Sequence, residues 1–135
     1  MKNNLGLGVM LKMIFGDRDT GPAIQDSVGK EIKSIVLEEK ELTIGFDGSR
    51  LALWDDGQSC CEDRYMYTDD KLSDFIGSEF LGAEIRDGPE EQGEYGDVKE
   101  SQFLVIDTSI GQFTIVNYNE HNGYYGGFAI AGRLA

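Results

Sequence analysis

Gln112-Phe113-Thr114-Ile115-Val116-Asn117-Tyr118-Asn119-Glu120-His121-Asn122-Gly123-Tyr124-Tyr125-Gly126-Gly127-Phe128 is the stretch from which the fold is read. It opens with the two-residue alternation of a strand and closes on a glycine pair. It carries the only histidine of the chain and a dense set of amide side chains. Four of its residues between Phe113 and Tyr125 are aromatic. Its complement is Ser59-Cys60-Cys61-Glu62, which holds both cysteines. These two stretches are the expected seat of function.

Outward from them, the chain of 135 residues has the size of one domain, with enough length to bury a core without staples. Glycine is frequent (18) and proline scarce (2), as in a turn-rich chain of strands. The formal net charge of −13 repels a phosphate backbone, so no direct nucleic-acid binding is expected. The charge is compatible with solubility, with an acidic face for a basic protein, or with metal binding by carboxylates. Adjacent cysteines make a poor structural staple, which points to reduced thiols and a cytoplasmic chain. The apolar run at 5–15 is interrupted by Gly6, Gly8 and Lys12 and is too short to span a bilayer. No membrane association or signal peptide is expected.

Residues 1–29 read as an N-terminal extension or accessory element, and 30–135 as a single domain. From Lys30 the period becomes two. Ile32, Ser34 and Val36 alternate with Lys33, Ile35 and Leu37; Leu42, Ile44 and Phe46 follow. Asp47-Gly48 then signals a hairpin, so 30–57 reads as a three-strand meander ending at Trp54, a core residue. Thr68 is the expected cap of a short helix through Leu72, Phe75 and Ile76, stopped by Gly77. A strand over 80–86, an acidic loop over 87–97, a central strand over 101–107 and a last strand over 128–131 complete the chain. The sum is an α+β domain: a mostly antiparallel sheet of six to seven strands with one short helix between its halves.

Three features in this order resemble an uncharacterised small domain family of bacteriophage and prophage genomes. They are the hairpin at Asp47-Gly48, the Cys60-Cys61-Glu62 motif before a short helix, and Asn122-Gly123-Tyr124-Tyr125 after a strand. The resemblance covers roughly 30–131. In that family serines often flank the Asn-Gly-Tyr-Tyr run; here His121 and Gly126 stand there, so no role for the histidine carries over. The resemblance implies a phage-type accessory protein in the host cytoplasm, with no assigned chemistry.

Cys60, Cys61 and His121 are the right ligand types for zinc, with Glu62, Asp63 or Glu120 as a fourth ligand. Adjacent cysteines on a strand point to opposite faces, however, and no Cys-x-x-Cys pair exists. No cofactor is therefore expected, with zinc as the alternative. A Cys–His pair oriented by Glu62 or Asn122 would activate a thiol. The plain alternative is one packing thiol and one partly exposed thiol. Asn117, Asn119, His121, Asn122, Tyr124 and Tyr125 suit a surface for a protein or a small polar ligand, or simply a tight strand connection. The leading expectation is a non-enzymatic binding protein, in its most concrete form an inhibitor of a host defence system. The alternative is a metal-binding or enzymatic module on Cys60, Cys61, Glu62 and His121. The sequence leaves the oligomeric state open.

Overall fold

The computed structural model describes residues 19–57, 62–93, 96–123 and 126–135. Among these residues lie one α-helix, α1 (Thr20–Ser27), and eight strands. The strands are β1 (Ser34–Leu37), β2 (Glu41–Gly45), β3 (Arg50–Asp55), β4 (Asp63–Tyr67), β5 (Phe80–Gln92), β6 (Val98–Thr108), β7 (Gly111–His121) and β8 (Ile130–Leu134). They form two four-stranded sheets, in the orders β1-β2-β3-β8 and β4-β7-β6-β5. Every strand pair is antiparallel. The expected single sheet of six to seven strands is thus two sheets that share one core. Leu42, Ile44, Leu51, Leu53 and Ile130 meet Met66, Ile85, Leu104, Ile106, Phe113 and Ile115 between them. Each such fully buried side chain contributes about 1.5–3 kcal/mol.

The local reasons follow the alternation. Leu51 and Leu53 face the core, so Arg50, Ala52 and Trp54 take the outer face of β3. Trp54 is therefore only half-buried, contrary to its expected core position. The hairpin at Asp47-Gly48 forms as read, with the Phe46 N–H donating to the Ser49 carbonyl at 2.7 Å. Leu104, Val105 and Ile106 are all buried, as a central strand requires.

Three elements differ from expectation. The segment after Thr68 makes only a 3-10 turn, Leu72–Phe75, and the hydroxyl of Thr68 accepts from the Asp70 N–H at 3.0 Å. The acidic segment 87–97 is largely strand: β5 runs on to Gln92 and pairs with β6 beyond a register shift between Asp87 and Glu90. β8 continues through Gly132 rather than ending there, because the position is a close approach. A Cβ on Gly132 would stand 2.6 Å from Leu53 Cδ2.

Other segments reach the edge strands β8 and β4. The Thr20 hydroxyl of α1 accepts from the Gly132 N–H at 2.9 Å on the far side of β8, and Ala23 and Ile24 of α1 join the core. On β4, the Met66 N–H donates to the Glu39 carbonyl at 2.8 Å and Lys40 Nζ donates to the Arg64 carbonyl. No helix among the described residues is long and apolar enough to cross a membrane.

Candidate functional site

β7 has two chemically different faces. Inward, Phe113 and Ile115 belong to the core, and the same row continues as Asn117, Asn119 and His121, all buried. Outward, Thr114, Val116, Tyr118 and Glu120 alternate with them. The residues expected on one surface are thus split by the period of two.

The inner row organises a polar cluster at one end of the sandwich. β4 pairs with β7 in the register Asp63↔Glu120 and Arg64↔Asn119, which brings the described end of the cysteine stretch against the histidine strand. Arg64 is the hub. Its Nη1 donates to both oxygens of Asp55 at 2.9 Å, and its Nη2 to both oxygens of Glu62 at 2.9 Å. Only 11% of the Arg64 side chain is exposed, 7% of Asp55 and 2% of Glu62. Asn119 Nδ2 donates to Glu62 Oε2 at 2.9 Å and to the Gly127 carbonyl at 3.0 Å. Asp55 Oδ1 also accepts from the N–H groups of Gly57 (3.1 Å) and Ala129 (3.0 Å).

Burial alone would push the Glu62 carboxyl up; the hydrogen bonds from Asn119 and Arg64 and the Arg64 charge outweigh it and hold it below the ordinary carboxylate range. Burial likewise works against the Arg64 charge, and the two carboxylates more than offset it, so its pKa is raised.

His121 completes the cluster. Its Nε2 lies 2.8 Å from Glu100 Oε1, which also accepts from the Gly127 N–H at 2.9 Å. The Gly123 N–H donates to His121 Nδ1 at 3.0 Å. That donor makes Nδ1 an acceptor, so Nε2 carries the hydrogen that Glu100 receives. Both ring nitrogens are engaged, and metal ligation or base catalysis by His121 requires one of these bonds to break. Gly126 lies directly over the pair: at φ 153° its Cβ would stand 2.5 Å from Glu100 Oε1. Cys60, Cys61, Tyr124 and Tyr125 lie outside the described residues. Among the described residues, no three His, Cys, Asp or Glu side chains are grouped to hold a metal ion. Asn122 is exposed.

The outer face of the second sheet is aromatic. The rings of Tyr65 and Tyr118 stack at 5.1 Å with a 31° tilt, and Lys99 Nζ sits 4.5 Å from the Tyr118 centroid. Tyr67 on β4 and the cross-strand pair Phe103–Val116 extend the patch. The patch ends in a small hollow of about 130 Å³ beside Pro89. Carboxylates hold two of the phenols: Tyr65 donates to Glu120 and Tyr67 to Asp69. Burial, then the Glu120 carboxylate, raises the Tyr65 pKa; the hydrogen bond to Asp69 raises that of Tyr67. Asp63 and Glu91 add acidic positions at the margin of this face.

Sequence reasoning located Glu62, Asn119 and His121 but missed Asp55, Arg64 and Glu100. Asp55 directly follows Trp54, where the expected third strand ends, and Glu100 lies just beyond the acidic loop expected over 87–97. The legible signal was Glu62-x-Arg64-x-Met66, which places a carboxylate and a guanidinium on the face of the buried methionine.

Residues 25–130 match the family described as a domain of unknown function (DUF7448). No curated protein matches the chain, and no solved structure does. The chain belongs to the DUF7448 family.

Proposed function

We propose that this DUF7448 chain is a non-enzymatic binding protein that meets a protein partner with the outer face of the β4-β7-β6-β5 sheet. The observation that carries the reading is the stacked pair Tyr65–Tyr118 with Tyr67, Phe103 and Val116 around it, bordered by Asp63, Glu91 and Glu120. Tyrosines with few rotatable bonds give contact area at small entropic cost, and surface carboxylates steer a basic partner. The net charge of −13 favours a partner rich in lysine and arginine. The most concrete version is a phage-type accessory protein in the host cytoplasm that inhibits a defence system. Its support is the resemblance of the Cys-Cys-Glu and Asn-Gly-Tyr-Tyr motifs to phage domains, together with the charge.

The test is affinity capture from a bacterial lysate with three baits: the unaltered chain, Tyr118→Glu and His121→Ala. A partner recovered by the first and third and lost with the second supports the reading. Tyr118→Glu is expected to weaken the purified complex at least about tenfold, as a central interface aromatic does. Recovery indifferent to Tyr118 sinks it.

The second reading is a metal-binding or Cys/His module on Cys60, Cys61, Glu62 and His121. It draws on the Asp63↔Glu120 register, which sets the flanks of the two stretches side by side. Activity lost in Cys61→Ser and His121→Ala, and kept in Tyr118→Glu, would favour it.

A further inference from the structure

The opposite side of the sandwich carries a hollow with ligand-site features. β3 presents Arg50, Ala52 and Trp54 outward, at successive alternate positions. Ala52 pairs with Thr43 on β2 and with Arg133 on β8. Ala52 is the floor, because a methyl group stands where larger side chains surround it. The hollow of about 530 Å³ above it is lined by Trp54, Arg50, Arg133, Thr43 and Glu41. That volume lies within the range of small-molecule sites. Neither Arg50 nor Arg133 has a carboxylate within ion-pair distance among the described residues. Two such guanidinium groups stand out in a chain with a net charge of −13, where acidic groups outnumber basic ones.

The hollow has two chemically different ends. Glu41 pairs with Trp54 at one end, and Gly45 pairs with Arg50 at the other. The indole is oriented by its Nε1–H, which donates to Asp56 Oδ1 at 3.2 Å. At this end the indole offers a stacking face, and the Glu41 carboxylate, which accepts from the Thr43 hydroxyl at 3.2 Å, offers a further acceptor. Toward the other end Arg50, and Arg133 in the row of Ala52 midway along the hollow, present planar donors of the kind that grip phosphate. Trp54 and Arg50 are four strand steps apart, about 13 Å at strand rise, the scale of a nucleotide from base to phosphates.

We propose that this face binds a free nucleoside phosphate, with the base on Trp54 and the phosphates on Arg50 and Arg133. Glu38 and Glu41 stand on the same face and oppose an acidic polypeptide laid across it. The overall charge opposes a nucleic-acid strand. A compact ligand that is anionic at one end only satisfies both constraints. The site lies on the other sheet from the tyrosine face and is independent of it.

Trp54 is the sole tryptophan, so intrinsic fluorescence of the full chain reads the site directly. The experiment titrates ADP, adenosine, pyrophosphate, a mixed-sequence single-stranded oligonucleotide and polyglutamate, with calorimetry as a second readout. ADP is expected to quench saturably, and adenosine and pyrophosphate to bind at least about tenfold more weakly, since each keeps one end of the contact. The Arg50→Gln, Arg133→Gln double variant is expected to lose at least about tenfold in ADP affinity at an unchanged melting temperature. Tyr118→Glu is expected to leave ADP binding intact. Absence of saturable binding up to about 5 mM ADP would overturn the proposal. So would equal binding by the double variant, or tighter binding of the oligonucleotide or polyglutamate than of ADP.

Discussion

Arg64 holds two buried carboxylates, Asp55 and Glu62, with one guanidinium. Glu62 is where this arrangement can be titrated. Its pKa is held below its ordinary value of 4.5 in the fold. A depressed carboxyl contributes stability that is fully present above the unfolded pKa and is lost as pH falls through the folded one. Glu62→Gln keeps the shape and removes the charge from Arg64, and is expected to cost about 2 kcal/mol at neutral pH. That gap between the two proteins should begin to narrow as pH falls below 4.5, where Glu62 of the unfolded chain takes up its proton, and close as pH passes below the lower folded-state value, where the folded Glu62 is protonated as well. Urea denaturation at several pH values measures it. A gap constant down to pH about 3 would mean that Glu62 is not coupled to Arg64 through its charge.

At the scale of the element, α1 shows how a short segment closes a sandwich. It packs on β8, β5 and β3. Thr20 is fully buried, and its hydroxyl satisfies the Gly132 N–H. Thr20→Val keeps the volume and leaves that N–H without an acceptor. The expected loss is about 1–3 kcal/mol in chemical denaturation, with most of it restored in Thr20→Ser. An unchanged Thr20→Val would show that α1 is held by Ala23 and Ile24 alone. β7 makes the same point about alternation. One strand carries a polar cluster on one face and an aromatic patch on the other, and only its pairing with β4 and β6 decides what each face meets.

Across the whole molecule, charge repulsion sets how stability responds to salt. With 25 acidic and 12 basic residues, compaction brings like charges together. The exposed ion pairs, such as Lys33–Glu31 and Lys40–Asp63, offset little of that. Raising sodium chloride from about 10 to 300 mM should therefore raise the melting temperature, since screening acts mostly on repulsion. A fall would show that specific ion pairs outweigh the net charge.

The sequence alone determined the strands of the meander, the Asp47-Gly48 hairpin and the central run Leu104-Val105-Ile106. These depend on residues near one another in the chain, where a period of two and turn chemistry are sufficient. The sequence also marked Glu62 and His121 as unusual. Only the tertiary structure decided that the strands divide into two sheets, because that depends on which edges pair across long separations. It likewise placed Trp54 outside and carried β8 through Gly132, where burial is set by what packs opposite. It joined Asp55, Arg64 and Glu100 to the cluster, since charges far apart in sequence become partners only when the strands carrying them are brought together and water is excluded between them.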